Sequence, residues 1–181
     1  MGGVTQKGAA AVVEPRLFRQ VLGRFATGVT VVTTGTLEDF HGMTANAFAS
    51  VSLDPPLVLV VVGRKARTCQ RIPQFRAFGV NILKADQAFL SDWFAGRFGS
   101  QDELSPDLQL YTAATGTPLL EGTAAQLDCR LYQSHPAGDH IIFVGEVRHL
   151  RMEEEVVEPL LFFASRYHRL GEPLTVTPPR S

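Results

Sequence analysis

The chain has 181 residues, with 17 Lys plus Arg against 18 Asp plus Glu and a formal charge of −1, so it suits one domain with a sizeable core and carries no charge bias toward nucleic acid or an anionic membrane surface. A hydrophobic content of 45%, including 12 Phe, excludes a disordered chain. The 2 cysteines, Cys69 and Cys129, lie far apart with no CxxC pair, which argues against structural zinc and for free buried thiols in a reducing cytoplasm. No N-terminal apolar run resembles a signal peptide, and no stretch of about 20 apolar residues is present to span a bilayer. Met1-Gly2 hints at myristoylation, but Gln6 stands where that motif wants Ser or Thr.

Residues 1–13 are small and unpatterned and read as a flexible tail. Glu14-Pro15 opens a helix, with Pro15 in the first turn, where its missing N–H costs nothing. Leu17, Val21, Leu22 and Phe25 give that helix one apolar face, and Thr27-Gly28 ends it. Residues 29–34 are a β-branched strand, and 35–39 a turn. In the stretch 42–62, Thr44, Asn46, Ser50 and Ser52 alternate with Ala45, Ala47, Val51 and Leu53, the period of a strand with one polar and one apolar face. Pro55-Pro56 turns the chain, and residues 57–62 read as a strand buried on both faces.

Arg64-Lys65-Ala66-Arg67-Thr68 follows as a cationic turn suited to an anion, with Thr68 capping a short helix through Phe75. Residues 78–83 are another apolar strand, and 86–94 a helix. The Gly-, Ser-, Thr- and Pro-rich stretch 96–118 reads as a surface excursion with one helical turn near Pro106. Residues 123–135 and 141–152 are long strands joined by a tight turn at 136–139, and 159–164 and 166–170 complete the order. One helix, many strands and no regular β-α-β alternation predict a mainly β fold: a closed antiparallel barrel with a few flanking helices.

The small polar side chains of 44–52 leave the backbone approachable, as a flat, polar-edged cofactor needs. A strand whose polar face simply meets water is the alternative. No GxGxxG, GxSxG, HExxH or Walker pattern occurs, which removes Rossmann, serine hydrolase, zinc protease and P-loop readings. His41, His135 and His149 show no metal-ligand spacing, and Glu153-Glu154-Glu155 reads as a solvated turn.

Taken in order, FRQVLGRFATGVTVVTT (18–34), GMTANAFASVSLDPPLVLVVV (42–62), RKARTCQRI (64–72), Phe78-Gly79-Val80-Asn81-Ile82-Leu83 and Gly138-Asp139-His140 resemble the flavin reductase family. The resemblance covers residues 14–170, leaving 1–13 and 171–181 as tails. These proteins are NAD(P)H:flavin oxidoreductase components of two-component monooxygenases, with an FMN-binding split β-barrel of Greek-key type. The resemblance implies FAD or FMN, NADH or NADPH as co-substrate, a homodimer with flavin sites near its interface, and a separate monooxygenase that takes the reduced flavin.

It also implies site residues. Thr44, Ala45, Asn46, Ala47 and Phe48 match the segment along the isoalloxazine ring. Ser50, Val51 and Ser52 match positions near the ribityl and phosphate. Lys65, Ala66, Arg67 and Thr68 match the phosphate turn, with Ala66 where the family often has Ser. Gly138, Asp139 and His140, with Ile141 beside them, match the nicotinamide motif. His140 would place the dinucleotide as the catalytic residue without donating a proton. Arg97 and Phe98 would approach the longer FAD, and Tyr167 or His168 would cover the site. A non-catalytic flavin- or haem-binding barrel and a flavin-dependent oxidase of the related barrel type are the alternatives, and the Gly-Asp-His motif favours the reductase.

Overall fold

The computed structural model describes residues 13–98 and 108–174. The tail over 1–12, the helical turn near Pro106 and the end after 174 lie outside the described residues. In chain order the elements are α1 (Pro15–Leu22), β1 (Thr27–Gly28), β2 (Thr30–Gly35), β3 (Phe40–Ala45), β4 (Phe48–Leu53), β5 (Pro56–Gly63), α2 (Arg67–Phe75), β6 (Ala77–Ile82) and α3 (Ala88–Phe94). Then come β7 (Leu110–Thr112), β8 (Pro118–Leu120), β9 (Ala125–Ala137), β10 (His140–Met152), β11 (Leu161–Phe163) and β12 (Arg166–His168). Among the described residues no helix is long and apolar enough to cross a membrane.

Helix α1 starts as its sequence dictates. Glu14 accepts from the N–H groups of Arg16 and Leu17 at 2.8 and 2.7 Å, and Pro15 occupies the first turn. The helix ends at Leu22, with Gly23 as its C-cap, short of the expected end at Thr27-Gly28, which pair with β11 instead. Leu17, Val21 and Leu22 on its apolar face, and Phe25 beyond its end, are 56, 60, 55 and 75% exposed, uncovered among the described residues.

The fold is mainly β and antiparallel. Seven strands pair in the order β3-β2-β6-β9-β10-β5-β4, while β1-β11-β12 and β7-β8 form smaller sheets. The two edges of the large sheet, β3 and β4, are consecutive in the chain and joined only by Asn46 and Ala47. In a flat sheet six strand spacings would part those edges by ~29 Å. Two connecting residues reach only ~11 Å, so the sheet curls until its edges approach. Ala45 belongs to the β2–β3 ladder, opposite Thr30. Ala47 already belongs to the other edge, its carbonyl accepting from the Val61 N–H at 3.0 Å. Asn46 is therefore the residue at which the chain crosses from one edge to the other. The single alternating strand expected over 44–53 is broken here.

Like β6 for all but its last residue, strand β2 is buried on both faces. Its period of two sends Val32 inward, among Val58, Val60, Val62, Ile72, Phe78, Val80 and Phe143, and Val31 outward, among Leu83, Phe94, Leu120 and Leu160. The expectation of double burial for 57–62 is corrected. Val58, Val60 and Val62 are buried, but Leu57, Leu59 and Val61 are only partly so, their face not fully covered by the described residues.

Three further expectations change. Thr68 does not cap α2: the helix begins at Arg67 with Ala66 as its N-cap, and the buried Thr68 hydroxyl lies 3.1 Å from His41 Nε2. The stretch 96–118, where described, is not simply an excursion. Its β7–β8 hairpin buries Leu119 and Leu120 and is held where Asn81 Oδ1 accepts from the Leu120 N–H at 2.8 Å. Finally, β9 and β10 run to Ala137 and from His140, which reduces the turn to Gly138 and Asp139, with Gly138 at φ 62 supplying the left-handed residue.

Candidate functional site

Crossing the seam at Asn46 leaves a recess that neither ladder fills. Met43, Thr44, Ala45, Asn46, Ala47, Val61, Gly63 and His140 line a cavity of 400 Å³ there. Thr44 to Ala47 come from the end of β3 and the crossing, whereas His140 opens β10. The antiparallel β5–β10 ladder unites them by pairing His140 with Gly63 and Ile141 with Val62. Gly63 lies under the imidazole: a Cβ there would stand 3.7 Å from His140 Nε2, in ordinary van der Waals contact.

The turn that carries His140 is clamped to the end of β5. Arg64 donates from Nε to the Gly138 carbonyl at 2.8 Å and from its backbone N–H to the Asp139 carbonyl at 2.9 Å. Asp139 Oδ1 lies 2.7 Å from His140 Nδ1. The hydrogen bond from His140, then its charge, hold the Asp139 carboxyl below the ordinary carboxylate range. An ionised carboxylate only accepts, so Nδ1 carries the proton, and in the neutral imidazole Nε2 is left as an acceptor.

A larger concavity of 720 Å³ shares Asn46, Ala47 and Val61 and is otherwise mostly apolar, with Leu22, Phe25, Phe48, Ala49, Leu59 and Ile82 among its walls. Phe48 thus faces this second space. Ser50, Val51 and Ser52 line neither, because β4 carries them onward, with a register shift between Ser50 and Ser52 that leaves Val51 unpaired.

Lys65, Ala66, Arg67 and Thr68 form the tight entry to α2 directly after the Gly63–Arg64 end of β5. There the Ala66 N–H donates to the Gly63 carbonyl at 3.0 Å. Lys65 and Arg67 are exposed, and the first helical N–H groups add positive potential. The Thr68 side chain points instead into the fold toward His41. Ile141 packs against the inner core, as its position one residue from His140 on a strand requires.

Arg97, Phe98 and Tyr167 gather around α3 and line neither space. Arg97 pairs with Asp92 at 3.2 Å, Phe98 stacks on Phe89 with centroids 5.1 Å apart, and the Tyr167 hydroxyl donates to Asp92 Oδ1 at 2.6 Å. Sequence reasoning missed Met43, Val61 and Gly63 as cavity walls and Arg64 as the clamp of the turn. A glycine closing an apolar strand was the signal available for Gly63.

The family profile described as a flavin reductase like domain matches residues 22–171. An NADH-dependent flavin reductase of a Rhodococcus species is 44% identical over 161 residues, covering 87% of this chain and 88% of that protein. The reductase subunit HsaB of a flavin-dependent monooxygenase from Rhodococcus jostii is 37% identical, covering 99% of this chain and 91% of its own. The solved structure of flavin reductase PheA2 in its native state superposes with a TM-score of 0.79 at 46% identity, over 88% of this chain and 100% of that one.

Proposed function

The chain belongs to the flavin reductase family, and on that premise we propose that it is an NAD(P)H-dependent flavin reductase that passes hydride from nicotinamide to FAD or FMN and supplies reduced flavin to a separate monooxygenase. NADH is the expected donor, as the name of the Rhodococcus relative has it. One observation carries the reading: Thr44 to Ala47 at the crossing and His140 at the start of β10, about a hundred positions apart in sequence, wall a single cavity.

The residues fit a flavin ring. Thr44, Ala45 and Ala47 are small enough to let a flat ring approach the backbone, and the Asn46 amide offers a donor and an acceptor to its polar edge. Flavin, when bound there, supplies the hydride acceptor. The chain contributes proximity and orientation. Lys65, Arg67 and the α2 N-terminus would hold the phosphate. Asp139 holds the imidazole and Arg64 holds the turn before it, so that His140 Nε2 would accept from the carboxamide NH₂ of a nicotinamide and orient it for the transfer. No protein proton is needed in the transfer, consistent with a positioning histidine.

In this reading the curled sheet is the family's split β-barrel. The working unit is a homodimer whose partner covers the exposed Leu17, Phe18, Val21, Leu22 and Phe25, a patch too apolar to be left in water. The enzyme acts in the cytoplasm. Sedimentation of the chain as a monomer at micromolar concentration would overturn the dimer.

The function is tested by steady-state NADH and NADPH oxidation with free FAD and free FMN, all four pairs. Rapid turnover with at least one pair is expected. Flavin binding without turnover in any pair would favour a flavin carrier of the same fold and refute the reductase.

A further inference from the structure

Tyr167 lies outside both concavities, yet a chain of hydrogen bonds runs from it to the cavity wall. Its hydroxyl donates to Asp92 Oδ1 at 2.6 Å and lies 2.9 Å from Ser91 Oγ. A phenol has one proton. With that proton donated in the hydrogen bond to Asp92, the Ser91 hydroxyl is the donor to Tyr167. Ser91 is fully buried, so its hydroxyl depends on this partner. One bond further, the Ser91 carbonyl accepts from Thr44 Oγ1 at 2.6 Å. Thr44 thereby commits its proton to α3 and keeps only acceptor lone pairs for a ligand.

The two ends of this chain are anchored differently. Tyr167 sits on β12, paired through β11 to β1, with its ring edge-on to Phe162 at 5.6 Å. Asp92 is also held by Arg97 at 3.2 Å. Helix α3 thus lies between a fixed hydroxyl on one side and β3 on the other. Burial, and then the bond to Asp92, raise the Tyr167 pKa, which keeps the phenol a donor at neutral pH.

We propose that Tyr167 is a positioning residue: through Ser91 it sets α3 against β3 and so fixes the Thr44 hydroxyl at the flavin end of the cavity. The inference rests on the assignment of that cavity to flavin. It replaces the expectation that Tyr167 covers the ligand directly with an action exerted from behind the wall.

The experiment is a double-mutant cycle of Tyr167→Phe with Thr44→Val. It is read by the flavin dissociation constant, the visible spectrum of bound flavin, the KM for NADH and the melting temperature. Each single variant is expected to weaken flavin about tenfold, the scale of one lost hydrogen bond with some misplacement. Because both act on one contact, the double variant should stay near tenfold and not reach a hundredfold. Tyr167→Phe should also shift the bound-flavin spectrum and leave the KM for NADH within about twofold. Should Tyr167→Phe not fold, Ser91→Ala removes the same link and takes its place in the cycle. A lowered melting temperature with flavin affinity and spectrum unchanged would reduce Tyr167 to a structural tie and overturn the proposal. Multiplying effects in the double variant would overturn it too. A wild-type chain that binds no flavin would overturn the site assignment and this inference together, whereas a failure confined to the variants overturns this inference alone.

Discussion

His140→Ala separates the two ligands most cleanly. The substitution removes the Nε2 acceptor from the cavity wall and leaves Thr44, Ala45, Asn46 and Ala47 in place. The turn itself persists, because Arg64 still donates to the Gly138 and Asp139 carbonyls. What is lost toward NADH is one hydrogen bond, about 0.5–1.5 kcal/mol. That converts to a factor of about 2–13 in binding, and misplacement of C4 adds to it in kcat. The KM for NADH should therefore rise about tenfold, with the flavin dissociation constant changed less than about twofold. Asn46→Leu should do the opposite, weakening flavin by removing the amide and adding bulk at the crossing. Fluorescence titration with flavin, followed by stopped-flow reduction over a range of NADH concentrations, measures both constants. A His140→Ala protein that loses flavin yet reduces normally when resaturated would refute the assignment of this turn to nicotinamide.

Replacing both Lys65 and Arg67 with Ala should weaken flavin, with the loss shrinking as salt is raised, since well-aligned charged contacts contribute about 1.5–3 kcal/mol each; unchanged affinity would move the phosphate elsewhere. Gly42→Ala should destabilise the fold by about 1–3 kcal/mol, read by thermal melting, because a Cβ there runs into the Phe94 ring where α3 packs on β3; an unchanged melt would refute that packing. The Asp139 carboxyl is held low by His140, so its contact with the imidazole is complete above the ordinary carboxylate range and lost only as pH falls through the lowered value. The KM for NADH should accordingly show no dependence traceable to Asp139 across neutral pH, while Asp139→Asn should raise that KM by loosening the hold on the imidazole; an unchanged KM in that variant would refute the role of Asp139.

Local rules carried the sequence a long way. The Glu14-Pro15 start of α1, the β-branched run of β2 and the tight turn at Gly138-Asp139 rest on capping, propensity and backbone freedom, which act over a few residues. What stayed hidden depended on distant parts of the chain. Residues 44–53 alternate apart from Phe48, which falls on the polar set, and nothing at Asn46 itself marks the crossing; the break arises because the two sheet edges have to meet. Thr68 has the chemistry of a cap, but His41, 27 positions earlier, claims its hydroxyl. The β7–β8 hairpin lies in a loop-like composition and is ordered by buried partners elsewhere, Asn81 for Leu120 and Asp128 for Thr115. The site divides in the same way. Its motifs were legible, while the pairing of Gly63 with His140 that joins them was not.

That pairing decides whether the residues can act together. Side chains on a strand change face at every residue, so a slip of β10 by one position would put Ile141 opposite Gly63 and turn His140 away from the cavity. The register is held from within: Phe143 on β10 and Val60 on β5 are paired, and both are fully buried. Moving either outward would expose a core side chain, at a cost of about 1.5–3 kcal/mol for each one. It is held from the end as well, by the two Arg64 bonds to the turn. The inner core of the curled sheet, remote from either ligand, therefore sets the separation between the crossing at Asn46 and the imidazole of His140. In a reaction whose chemistry belongs to its two cofactors, that separation is the main thing the protein has to supply.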